Sequence, residues 1–138
     1  MDLKLELIVV PVSDVDRAKA FYAEKAGFAV DVDFSAGEDF RVVQLTPPGS
    51  ACSIALMKNK EAAGSLQGLH LVVTDIDAVR AELAGRGLEV GEVFHHGAGG
   101  QVPGRDPEDR DYANYAAFSD PDGNGWLLQQ VRRGGVEG

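Results

Sequence analysis

Cysteine is almost missing from this chain: Cys52 is the only one in 138 residues. Its solitude excludes an internal disulfide and a cysteine-rich metal site, and Cys52 reads as a small buried residue. Positive charge is scarce as well. Lys and Arg number 13 against 22 Asp and Glu, a formal net charge of −9, which argues against nucleic acid or an anionic membrane as a partner. No apolar run approaches the ~20 residues of a membrane-spanning helix. The opening Met1-Asp2-Leu3-Lys4-Leu5-Glu6 has neither the basic flank nor the apolar stretch of a secretion signal. A cytoplasmic location is the expectation. No Ser–His–Asp or Cys–His arrangement is legible. The cluster Gly97-Ala98-Gly99-Gly100 opens no helix and so is no phosphate loop. Asp120-Pro121-Asp122-Gly123 lacks the spaced acceptors and terminal Glu of a calcium loop and reads as a tight turn.

What is present describes one globular domain with a real core: 44% hydrophobic and 25% charged residues are ordinary values. Residues 5–12 are apolar and β-branched, a strand expected to be buried on both faces. Ser13 is the expected N-cap of a helix that runs to about Ala26 and stops at Gly27, with Asp14 and Asp16 in its first turn. Phe28, Val30, Val32 and Phe34 alternate with smaller or charged residues as in a half-buried strand. Phe40–Leu45 and Cys52–Met57 follow as strands, separated by the turn Thr46-Pro47-Pro48-Gly49. A polar, small-residue stretch from Lys58 to Gln67 reads as a linker.

The order then repeats. Leu69–Val73 is a strand, Thr74 the expected cap of a helix with Asp77 at the capping-box position, and Gly87 its end. Glu89–Phe94, Tyr115–Ser119 and Trp126–Val131 complete the second set. Val12-Ser13-Asp14-Val15-Asp16 answers Val73-Thr74-Asp75-Ile76-Asp77, and Thr46-Pro47-Pro48-Gly49 answers Asp120-Pro121-Asp122-Gly123. Two matches in the same order at the same junctions point to a duplicated strand–helix–three-strand unit, module one at about 4–58, a linker at 59–67 and module two at about 68–131, with a ligand site expected between them. The second copy carries an insertion from about His96 to Asp111, read as an entrance or mobile lid, with Arg105 and Arg110 available for an anionic group on a ligand; a disordered surface excursion is the other reading.

The run Val12–Tyr22, then Gly27-Phe28, and later Phe118-Ser119-Asp120-Pro121-Asp122-Gly123-Asn124, resembles the glyoxalase/bleomycin resistance family of the vicinal oxygen chelate superfamily, over roughly residues 4–131. The resemblance implies an α+β fold of two βαβββ modules, their mixed sheets curled around a shared cup, and a homodimer. It also implies a choice of functions, because the superfamily holds metal-dependent lyases, isomerases and ring-cleaving dioxygenases beside metal-free proteins that sequester a toxic compound. The fold alone does not settle that choice.

The superfamily's metal ligands come from the first and last strand of each module, positions that match Leu7, Ser53, Gly68 and Leu127 here. None is a good ligand. Strand alternation offers His70 and Gln129 as replacements, each two residues further along on the same face, whereas Val9 and Ala55 donate nothing. No metal cofactor is therefore expected; the alternative is a divalent ion held by His70 and Gln129. The adjacent His95 and His96 point to opposite faces of a strand, so they cannot both ligate one ion; they read as a polar loop entrance, or one of them as a ligand contact.

Leu5, Leu7, Val9 and Pro11 fall on the cup side of the first strand, and Ile8, Val10 and Val12 toward the helix. Leu7, Val9, Phe40, His70, Tyr115, Trp126 and Gln129 are the candidate ligand-binding residues, with His70 as the one catalytic candidate. Arg41, Gln44 and Phe118 are large residues whose face parity alone does not decide. Apolar walls with a few polar groups suit a small hydrophobic or aromatic compound. The expected function is metal-independent sequestration of such a compound, an antibiotic among the candidates. The alternative is a metal-dependent lyase, isomerase or dioxygenase of the superfamily.

Overall fold

The computed structural model describes residues 1–132. The chain divides into two compact units, the first comprising Met1–Gln67 with the turn Ser119–Asn124, the second Gly68–Phe118 with the segment from Gly125 onward.

The first unit contains β1 (Leu7–Val12), α1 (Val15–Ala20) continued by a π-helical turn (Phe21–Lys25), β2 (Ala29–Ala36), β3 (Phe40–Thr46) and β4 (Ser53–Lys58). Its sheet has the order β1-β4-β3-β2, with β1 and β4 parallel and the other pairs antiparallel. Val10, Val12, Val43, Leu45, Ile54 and Leu56 face the helix and are buried with Val15, Ala18, Phe21 and Tyr22. The sheet's other face is partly open, with Ser53 and Ala55 buried on it but Val9 49% exposed, so β1 is buried on one face and not on both. All eight residues of β2 are exposed, which corrects the half-buried strand expected there; only Phe28, just before it, is buried. β2 is the sheet's edge, and a register shift between Val30 and Val32 breaks the alternation, aligning Val30 with Leu45 but Val32 with Gln44. On the helix side β2 places Asp33, whose carboxyl the Arg41 guanidinium and the Lys19 ammonium hold well below the usual carboxylate range.

The second unit contains β5 (Leu69–Val73), α2 (Ile76–Gly85), β6 (Phe94–Gly97), β7 (Gly100–Pro103), β8 (Tyr115–Ser119) and β9 (Gly125–Gln130). Its sheet order, β5-β9-β8-β6-β7, repeats that of the first with β7 added at the edge. The fold is thus α+β, two mixed sheets built on one strand order. No helix among the described residues is long and apolar enough to cross a membrane.

Several local expectations change. The helix caps are Asp14 and Asp75, which accept from the Arg17 and Ala78 amides at 3.0 and 3.1 Å, and not Ser13 and Thr74. Ser13 spends its hydroxyl and amide on Asp122 instead. Residues 89–93 are not a strand, because the Arg80 guanidinium donates to the Gly91 and Val90 carbonyls that a ladder would need. The insertion is not an irregular loop at its start: β6 and β7 pair as a hairpin, His95 opposite Val102 and His96 opposite Gln101. The segment after it is held by ion pairs, Arg105 with Asp77 and Asp109, Arg110 with Asp106, and Arg132 with Asp109. Arg110 holds the Asp106 carboxyl well below its ordinary value, and Arg105 lowers that of Asp109. Both arginines offered for an anionic ligand are therefore already occupied by carboxylates.

Candidate functional site

The parallel ladder of the second unit sets its exposed face. His70 pairs with Leu127 and Val72 with Gln129, and all four side chains share the side of the sheet away from the buried residues Trp126, Leu128 and Gln130. In the first unit Val12 pairs with Lys58, whereas in the second Val73 pairs with Gln130. The two ladders are thus two residues out of step with the turn-based alignment, and Gln129 stands where the first unit has Met57, not Ala55. An even shift preserves the face, so His70 and Gln129 keep their side.

On that face a cluster of rings forms around Tyr115. Phe94, directly opposite it across the β6–β8 ladder, stacks on it with centroids 5.6 Å apart. His96, two residues along β6, approaches edge to face at 5.3 Å, and His70 does so from β5 at 6.3 Å. Phe94 and His96 also touch, at 5.8 Å. The Gln129 amide nitrogen donates to the Tyr115 hydroxyl at 3.0 Å and to the Tyr112 carbonyl at 3.2 Å. His70 bonds through Nδ1 to the Gly68 carbonyl at 2.7 Å. The residue is exposed, so a buried interior histidine is not what the structure contains.

Of the candidate residues, His70, Tyr115 and Gln129 come together on this face. Leu7, Val9 and Phe40 lie on the face of the first unit's sheet away from the helix, where the Phe40 ring meets Phe34 edge to face at 6.3 Å. Trp126 does not belong with either set. It is 3% exposed and stacks on Phe118 at 5.9 Å, on the buried side of β9. It stands three residues from Gln129, so alternation alone places them on opposite faces. Arg41 also points to the helix side, bonded to Asp16 and Asp33. Cys52 is half-buried. Phe94 is the member that sequence reasoning missed, and His96 is one it left between a loop entrance and a ligand contact. Their spacing of two marks a shared face, but only the pairing of β6 with β8 puts that face beside Tyr115.

A metal centre needs three or four converging N, O or S donors. Among the described residues no three His, Cys, Asp or Glu side chains come together. Gln129 presents its amide nitrogen, a donor, toward the cluster, and His95 is turned away to the Gly104 carbonyl. The donor set does not fit a divalent ion, so no chemistry is routed through one.

The matches with known proteins agree with this architecture. A family model described as Glyoxalase/Bleomycin resistance protein/Dioxygenase superfamily matches residues 4–128. The structure of TnmS3, an antibiotic binding protein from Streptomyces sp. CB03234, is similar with a TM-score of 0.73 and 35% identity, covering 95% of this chain and 98% of that one. A glyoxalase/bleomycin resistance protein from the same organism matches at TM-score 0.69 and 36% identity, over 92% of this chain and 100% of that one. The Bacillus subtilis protein YetH is 25% identical over 127 residues, which is 89% of this chain and 94% of its own. With the family model spanning nearly the whole length and both sheets sharing one strand order, the chain belongs to the Glyoxalase/Bleomycin resistance protein/Dioxygenase superfamily.

Proposed function

We propose that this protein is a metal-independent binder that sequesters a hydrophobic or aromatic small molecule without transforming it. The observation that carries the reading is the ring cluster on the exposed face of the second unit, Phe94, Tyr115, His96 and His70 within 5.3–6.3 Å of one another along its contacts. Stacked and edge-to-face rings with one ordered hydroxyl offer a flat ligand apolar area and π contact. They offer no nucleophile paired with a base. The likeness to an antibiotic binding protein supports an antibiotic as the kind of compound held.

Titrating the purified protein with a panel of aromatic antibiotics tests this. One of them is expected to bind and to be recovered unchanged after denaturation. Tyr115→Ala is expected to weaken that binding by about tenfold to a hundredfold, the effect of losing one aromatic anchor worth about 2 kcal/mol. Recovery of a chemically altered compound, or a Tyr115→Ala variant that binds as wild type, would remove the proposal.

Cytoplasmic location and a homodimer belong to the same reading. Val9, Val32, Phe34 and Phe40 form an exposed apolar row in the first unit, a surface of the kind a second copy covers. Sedimentation is expected to give twice the chain mass; a monomer at every concentration would count against the dimer.

A further inference from the structure

We propose that His70 and Tyr115 together read a hydroxyl group, so that the ligand is a phenol in preference to an ether of the same shape. The inference rests on the binding face described above and names what that face selects. It follows from two backbone carbonyls, which can only accept.

The Gly68 carbonyl receives His70 Nδ1, so Nδ1 carries the hydrogen and, in the neutral ring, Nε2 is a bare acceptor. Nε2 makes no hydrogen bond among the described residues. The Tyr112 carbonyl receives the Gln129 side chain, so the end of Gln129 that faces it is the NH2 group. The same nitrogen reaches the Tyr115 oxygen, which must then accept, leaving the phenolic hydrogen of Tyr115 unspent. The Tyr112 carbonyl is itself held in place. Tyr112 has φ of 69°, in the left-handed region that non-glycine residues avoid, and its amide is tied to the Gln130 carbonyl at 3.0 Å.

The exposed face therefore presents an acceptor on His70 beside a donor on Tyr115, their rings edge to face. A ligand hydroxyl satisfies both at once, donating to Nε2 and accepting from Tyr115. An ether or a carboxylate can only accept, and an ammonium can only donate. Phe94 and His96, against the same tyrosine, supply contact for the ring that bears the hydroxyl.

The test compares 2-naphthol with 2-methoxynaphthalene by calorimetric titration of the full chain. Naphthol is expected to bind about tenfold more tightly, the worth of one to two net hydrogen bonds. His70→Phe is expected to shrink that preference, since only the hydroxyl donates to Nε2, whereas Tyr115→Phe removes a donor that both oxygens accept from and is expected to weaken both probes. Gln129→Glu should likewise weaken both probes, because a carboxylate would take the Tyr115 hydrogen for itself. Phe94→Ala is expected to weaken both probes equally and leave the ratio unchanged, a split that general loosening of the sheet would not reproduce. Equal affinity for the two probes, or an undiminished ratio in His70→Phe, overturns the hydroxyl reading alone. Failure of both probes to bind overturns the binding face and this inference with it.

Discussion

Asp120→Ala is expected to destabilise the first unit by about 3–5 kcal/mol, the range for stripping several buried donors of a shared charged acceptor. Asp120 is buried and accepts four hydrogen bonds: from the Tyr22 hydroxyl at 2.8 Å, the Asp122 amide at 2.9 Å, the Asn124 amide at 3.0 Å and the Asn124 side-chain nitrogen at 2.8 Å. Tyr22 and Asn124 are both fully buried, so water does not replace the lost acceptor without opening the turn. Asn124 also donates to the Pro11 carbonyl and accepts from the Leu66 amide, so its displacement spreads to β1 and to the segment before β5. Tyr22→Phe removes only one of the four donors and is expected to cost about 1 kcal/mol. Urea unfolding of the two variants measures the contrast. A loss below about 1 kcal/mol for Asp120→Ala would show that the turn is held by its backbone and not by this carboxylate.

The second large effect is expected at Gly64. Its φ is +83°, and a Cβ there would lie 2.2 Å from the carbonyl oxygen of Asp122 and 3.2 Å from its carbonyl carbon. These are backbone atoms and have no rotamer to yield. Gly64→Ala is expected to cost about 2–4 kcal/mol, combining left-handed strain with displacement of the turn. Gly49 provides the control, since it has nearly the same φ, +80°, with nothing within 4 Å of the added methyl. Gly49→Ala carries the backbone cost alone, about 1–2 kcal/mol. Melting temperatures of the pair separate strain from packing. Equal losses would mean that the close approach to Asp122 is relaxed without cost.

Both substitutions act on the Asp120–Asn124 turn, and its role explains why part of the fold was not readable locally. Asp-Pro-Asp-Gly-Asn has the composition of a tight turn, and it is one: the Gly123 amide donates to the Asp120 carbonyl at 2.9 Å. Nothing in those letters says that Asp122 also takes the Ser13 amide, the Ser13 hydroxyl and the Arg17 guanidinium. Ser13, a sound N-cap by residue type, is bonded to Asp122 while Asp14 caps the helix. The duplicated Ser/Thr-Asp pair located the helix starts within one residue, the Asp of each pair being the cap, while the partner of Ser13 lies more than a hundred positions away.

The sequence by itself determined the duplication, the order of strands and helices apart from β7, and the two sides of β1 and β5. These follow from the pleat, a property of a single strand: Val10 and Val12 are buried while Val9 is open, and His70 shares its side with Val72. Only the tertiary structure decided the remainder. The ladder step between the two sheets moved Gln129 opposite Val72, and pairing of β6 with β8 brought Phe94 and His96 to Tyr115. Arg105 and Arg110, free in a sequence, were claimed by Asp77, Asp109 and Asp106. The polarity of the site was set last, by the Gly68 and Tyr112 carbonyls. Side-chain direction along one strand is local geometry; register, ion-pair choice and the sense of a hydrogen bond are properties of two segments, and they exist only once the chain has brought those segments together.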